Sequence, residues 1–279
     1  MYKRFSRYFP IFVLPILAAF IISFAVPFVM GIYLSFCDFT TVSDARFIGL
    51  ENYKEAFGES FTHSLWYTAL FSLASVITVN LAAFFLARLL TRGFKGTNFF
   101  RTVFFMPNLI GGIVLGYIWQ IIINGILRHY GVDITFSEAY GFLGLLVLTN
   151  WQLIGYMMII YVAGLQNIPG ELREAAAIDG ATASMELKHI TLPLVMPSIT
   201  VCTFLTLTNT FKLFDQNLAL TAGAPNRRSA MLALDIYNTF YGGVGSEGVG
   251  QAKAVIFTLI LGAIALLQLY LTKRRERDV

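Results

Sequence analysis

The chain has 279 residues, 57% hydrophobic and 13% charged, with a mean hydropathy of +0.69 and a formal net charge of +4. Soluble domains carry about 25% charged residues, so a soluble enzyme or nucleic-acid-binding domain is excluded, and the basic excess has to be read against a membrane. Cys37 and Cys202, with His63, His129 and His189, are too scattered for a disulfide framework or a metal site.

Lys3, Arg4 and Arg7 precede an apolar run over 9–36. That run exceeds a signal-peptide core and lacks a small-x-small cleavage site, so it reads as an uncleaved first span. Further apolar runs at 64–90, 99–124, 141–166, 194–218 and 251–272 are each long enough for about 30 Å of hydrocarbon. The apolar-polar alternation of a membrane β-barrel is missing, and the expectation is an all-α membrane protein of six transmembrane helices. The first connection is acidic (Asp38, Asp44, Glu51, Glu55, Glu59), the second basic (Arg88, Arg92, Lys95, Arg101), and the tail 273–279 holds Lys273, Arg274, Arg275 and Arg277. Basic ends and an even number of spans put both termini in the cytoplasm.

On that count the polar stretch 167–193 is cytoplasmic. Pro169 suits a first helical turn, Glu171 and Glu174 favour the positive end of the helix dipole, and Ala175, Ala176 and Ala177 are strong helix formers. Gly180 fits a C-cap. A second short helix over Met185–His189 is expected to end at Pro193. From the residues alone this is a solvated helical connection whose small side chains would let another protein approach.

Inside the spans, polar groups cluster at Asn80, at Trp119, Gln120 and Asn124, at Asn150, Trp151, Gln152 and Tyr156, and from Asn209 to Asn217. Such groups face a cavity or a partner rather than lipid. Trp119, Trp151 and Tyr156 also suit interfacial aromatic belts. Lys212 and Asp215, three apart, read as a local ion pair near the outer boundary. The Gly-rich stretch 225–250 reads as an outer loop, either solvated or facing a partner.

Glu174-Ala175-Ala176, Gly180 and Ile190-x-Leu192-Pro193 carry the spacing of the cytoplasmic "EAA" signature, and the chain resembles the permease subunits of binding-protein-dependent ABC importers. Phe47-Ile48-Gly49-Leu50-Glu51-Asn52-Tyr53, Phe100 to Pro107 with Trp119, and Leu220-Thr221-Ala222-Gly223-Ala224-Pro225 resemble the carbohydrate-uptake branch, Ala224 standing where Gly is usual. The resemblance implies a type I importer permease core over 64–272, with 1–63 adding a first span and outer loop, in a bacterial cell membrane. Glu174, Ala175, Ala176, Asp179, Gly180, Ile190, Leu192 and Pro193 would then form the coupling element for a cytoplasmic ATPase dimer. It also implies a sugar path along Asn150, Trp151, Tyr156, Asn209 and Thr210, with Asn80, Trp119, Lys212 and Asp215 as further candidates. Trp and Tyr faces would stack on sugar rings while amides bond hydroxyls.

No G-x-x-x-x-G-K-[ST] run occurs. The expectation is a transport subunit without cofactor or catalytic residues, ATP and magnesium belonging to the partner ATPase. An extracytoplasmic binding protein and a second permease complete the implied assembly, the extra first span favouring a heterodimer. The alternatives are an ion-coupled secondary transporter, which would carry broken helices and mid-span carboxylates, and a membrane enzyme, which would need convergent nucleophile and base.

Overall fold

A computed structural model describes residues 11, 13–93, 95–243 and 245–276, with backbone only at 269 and 271–276. Lys3, Arg4, Arg7 and residues 277–279, used above for orientation, lie outside them, as do the side chains of Lys273, Arg274 and Arg275. Among the described residues, four helices are long and apolar enough to span a membrane, and two bent helix pairs bring the number to as many as six.

In chain order, α1 (Val13–Leu34) leads into a two-residue hairpin, β1 (Cys37–Asp38) against β2 (Arg46–Phe47), with Cys37 opposite Phe47. Next come α2 (Glu51–Ala56) and the long α3 (Glu59–Leu90). The expected third span is two helices, α4 (Thr97–Phe105, extended by a 3-10 turn to Leu109) and α5 (Gly112–Leu127), bent by 101°. Pro107 in the turn and Gly111–Gly112 at the break explain the bend. After α6 (Glu138–Gln166) come α7 (Gly170–Ile178) and α8 (Ala183–Leu194), which meets α9 (Met196–Phe211) at a 68° bend. The expected fifth span over 194–218 is therefore shorter than drawn. It stops at Phe211, and α10 (Asp215–Leu220) follows a break at 212–214. The stretch 225–250, expected as an outer loop, is not all loop, since it holds α11 (Leu232–Phe240) before α12 (Glu247–Glu276).

Two compact units emerge. One comprises residues up to Phe61 with Ile236–Leu259. In it the motif at 47–53 works locally: Asn52 is buried and its amide donates to the carbonyls of Ser35 (3.0 Å) and Cys37 (2.8 Å), while Tyr53 and Ser35 hydroxyls lie 2.7 Å apart. These bonds satisfy two carbonyls of the turn that leads from α1 into β1. Lys253 is buried in the same unit, with Nζ donating to Thr239 (2.8 Å) and lying 5.7 Å over the Phe61 ring.

The second unit, Thr62–Asp235 with Ile260 onwards, holds two buried clusters. One surrounds Met157, Met158, Tyr161, Val79, Ala83 and Ala87, the other Phe71, Leu145, Leu148, Leu220 and Met231. Lipid is as apolar as leucine, so helix association there depends on close packing at small residues and on interhelical hydrogen bonds. Both are present. A methyl at Gly116 would stand 2.6 Å from Ala219 Cβ, so α5 and α10 touch nearly backbone to backbone. Tyr161 Oη donates to Asn80 Oδ1 (2.8 Å) and Asn80 Nδ2 reaches Thr206 Oγ1 (3.3 Å), tying α6, α3 and α9 together.

Candidate functional site

The two helix breaks converge on one place. Asn108 comes from the turn ending α4, Asn209 from the last turn of α9, and Lys212, Leu213, Phe214, Asp215 and Gln216 from the break and the start of α10. With Gln152 and Leu153 of α6 they line a cavity of 310 Å³. Gln152 is the central residue of α6, so the cavity stands level with the middle of that span. Irregular backbone at membrane depth is tolerated where it lines a cavity or is buried in protein, and both breaks obey this. Gln216 Nε2 donates to Gln152 Oε1 (2.9 Å), joining α10 to α6 across the wall. Gly112 makes this possible, because a methyl there would stand 2.7 Å from Asp215 Cβ and 3.0 Å from Gln216 Cδ.

The expected Lys212–Asp215 ion pair is not formed. Spacing of three brings side chains together only within a helix, and the helix ends before Lys212, whose φ and ψ of −91° and 7° leave it. Neither side chain has an ion-pair or hydrogen-bond partner among the described residues. Their cavity stands level with Gln152, at the middle of α6 rather than at either end of it.

The other expected path residues divide. Asn209 lines the cavity. Trp119 and Trp151 pack edge to face, ring centroids 5.7 Å apart, and Trp151 remains 44% exposed, but neither lines the cavity. Asn150 Nδ2 is turned back onto the Leu146 carbonyl (2.8 Å), and half-buried Tyr156 lies 6.4 Å from the Phe105 ring. Asn80 is held in the Tyr161–Thr206 network, and Thr210 is fully buried with its hydroxyl on the Thr206 carbonyl (2.8 Å); neither lines the cavity. Asn108 was missed as a candidate, although Pro107 beside it and Gly111-Gly112 after it marked the bend that exposes it.

A larger hollow of 550 Å³ lies along α3 and α6, lined by Trp66, Tyr67, Leu70 and Phe142 with His63 and Glu138. His63 Nε2 is 3.3 Å from Glu138 Oε1, so its main polar groups already engage each other, and its walls otherwise offer little to a polar solute.

At the far end of α6, the polar stretch forms two short helices. Pro169 stands just before α7 rather than in its first turn. Gly180 has φ +75°, with its N–H on the Ala177 carbonyl (3.2 Å) and the Ala181 N–H on the Ala176 carbonyl (2.9 Å). These are the two bonds of a Schellman cap, which favours glycine at the left-handed position. Thr182 caps α8 by accepting from the Met185 N–H (3.3 Å), and Arg173 pairs with Glu186 across the turn (3.6 Å). Pro193 does not end the second helix. α8 runs through it to Leu194, and the preceding Leu187–Thr191 turn is a wide π-turn that accommodates the missing N–H. Glu174, Ala175, Asp179 and Gly180 are exposed, and Ile178 is 86% exposed. Ala176 is buried, while Ile190, Leu192 and Pro193 are half-buried, Ile190 against the cluster containing Leu165, Ile168 and Val195. The motif thus has an outward half and a half that fastens it to the bundle.

Residues 79–277 match the family described as binding-protein-dependent transport system inner membrane components. The chain is 41% identical over 284 residues to the probable starch degradation products transport system permease protein AmyD of Thermoanaerobacterium thermosulfurigenes, covering 96% of this chain and 95% of that one. It is 30% identical over 267 residues to the multiple sugar-binding transport system permease protein MsmF of Streptococcus mutans, covering 92% of each. The fold matches a chain from the crystal structure of a bacterial ABC transporter involved in the import of the acidic polysaccharide alginate, with a TM-score of 0.81, 20% identity and 98% of each chain covered. A multi-pass membrane protein with a soluble helical element between its later spans is thereby placed as a transport subunit. The chain belongs to the binding-protein-dependent transport system inner membrane component family. Bent helices and a mid-span carboxylate are features that an ion-coupled secondary transporter would also carry, and the family match decides between the two.

Proposed function

We propose that this chain is the membrane subunit of an ATP-driven sugar importer, its permease core over 64–272 forming the path by alternating access. The observation that carries this reading is the 41% identity to a permease named for starch degradation products, over nearly all of both chains. The cavity at Asn108, Gln152, Asn209, Lys212, Asp215 and Gln216 is the path at mid-span, and the exposed Trp119–Trp151 pair, outside its lining, is a further stacking surface for sugar rings along the path. Asn150, Tyr156, Asn80 and Thr210 shape that path from behind by holding α3, α6 and α9.

Glu174, Ala175, Asp179 and Gly180, with the exposed Ile178, face a cytoplasmic ATPase dimer, which supplies the bound ATP and magnesium. Ala176, Ile190, Leu192 and Pro193 transmit its movement to α6 and α9. Both termini and the 167–193 element are cytoplasmic, in a bacterial cell membrane. A second permease pairs with this one as a heterodimer, and a loaded extracytoplasmic binding protein docks outside. Sugar and ATP shift the equilibrium only through different affinities for the inward-open and outward-open states.

Tagging the chain, extracting it gently and identifying its companions while assaying ATP hydrolysis tests this directly. A P-loop ATPase and a second permease should co-purify. Hydrolysis should vanish with Gly180→Pro, since proline fixes φ near −65° where the native value is +75°. A chain that purifies alone, without ATPase activity, contradicts the proposal.

A further inference from the structure

The mid-span cavity carries two opposite charges without partners, and we infer that this balanced pair makes the site selective for uncharged sugars, Asp215 being the residue that turns anionic ones away. The inference rests on the reading of that cavity as the sugar path.

Four observations converge. Lys212 and Asp215 share the wall of one 310 Å³ cavity, at the small end of ligand sites, which run from about 300 to 1,000 Å³. They are separated by the non-helical residues Leu213 and Phe214, so they do not neutralise each other by contact. Gln216 bonds Gln152 across the wall, and the side-chain amides of Asn108 and Asn209 have no hydrogen-bond partner among the described residues. Phe214, half-buried, adds an apolar surface to the same wall.

The wall therefore offers donors only at Lys212, acceptors only at Asp215, and both at the two asparagines. A sugar hydroxyl is donor and acceptor at once, so an uncharged sugar satisfies both charges by hydrogen bonding and its C–H face lies on Phe214. An anionic sugar gains attraction from Lys212 and meets repulsion of comparable size from Asp215 in the same small space, so the cost of stripping water from its charge is not offset. A cationic sugar meets the mirror-image problem at Lys212. A lone Lys212 would instead have favoured phosphorylated or acidic sugars.

The test uses the assembled importer in lipid nanodiscs without its binding protein, so that the permease alone discriminates. Binding of maltotriose and of the acid made by oxidising its reducing end is measured by saturation-transfer NMR titration. The native complex should favour maltotriose. Asp215→Asn should lower that preference about thirtyfold, the change expected from losing one repulsion at about 8 Å across an effective dielectric near 20. Lys212→Met should raise it. Opposite shifts from neighbouring positions cannot come from misfolding. An unchanged ratio in both variants, with maltotriose binding lost in Gln152→Ala, overturns the charge inference and leaves the path standing. Binding of both sugars unaffected by all three variants removes the path assignment beneath it.

Discussion

Single residues in this chain do two kinds of work that composition alone does not separate. Asn80 and Asn209 are both polar residues within spans, yet one is consumed in a three-helix network with Tyr161 and Thr206 while the other opens onto the cavity. Outside the spans, Asp44 shows how one carboxylate organises a turn. It accepts from the backbone N–H groups of Thr41 (2.9 Å) and Thr40 (3.1 Å), and those bonds hold its pKa below the usual carboxylate value. A folded pKa below the unfolded one gives a contribution that is complete above about pH 4 and fades as pH falls through the lowered value. Hydrogen exchange at the Thr40 and Thr41 amides should therefore be insensitive to Asp44 protonation near neutral pH. In Asp44→Ala the protection of these amides should drop at neutral pH to the level the native chain shows in acid; equal protection in both chains would contradict this role.

At the scale of elements, what the chain shows of itself depends on whether the signal is local. The cap at Gly180 is local: a glycine after an alanine-rich helix states where the helix stops, and the structure has the two bonds that glycine permits. The Asn52 motif is likewise a short-range device. The break at 212–214 is not local, for Lys212-Leu213-Phe214 contains neither glycine nor proline, and only the packing of α10 onto α5 explains why α9 ends there. Pro193 errs the other way, since a helix-breaking residue is absorbed by the π-turn before it. Asn108 needed the 101° bend to be placed beside Gln216, although the bend itself was marked by Pro107 and Gly111-Gly112. The seat of α10 is testable. Gly116→Leu drives a side chain into Ala219 and the Gln216 carbonyl, and overpacking of this kind costs about 1–3 kcal/mol. Purified protein should unfold at a lower temperature and lose sugar uptake while still binding the proposed ATPase partner, because α7 and α8 are untouched. Unaltered uptake would mean that α10 does not shape the path.

Across the whole molecule, spans, polar cavity and the polar 167–193 element form a chain of cause from one end of α6 to its middle. α6 joins them: its middle residue Gln152 is in the cavity wall, and its last buried turn, at Leu165, packs with Ile168 and Ile190 beneath α7 and α8. A movement imposed on α7 and α8 therefore reaches the cavity through one continuous helix, and through the bend at Val195 into α9. The spans and the soluble element were legible from hydropathy and from the 174–193 spacing, whereas the cavity was legible only as a set of polar residues at comparable depth.

The central claim, that this cavity is reached from alternate sides of the membrane under ATP control, is tested most directly by the reactivity of Asn209→Cys in the reconstituted complex toward a membrane-impermeant maleimide. Both native cysteines, Cys37 and Cys202, are fully buried and contribute little background. The introduced thiol should react from one face without nucleotide and from the opposite face when ATP is trapped. Reaction from the same face in both states, or from neither, would contradict the account.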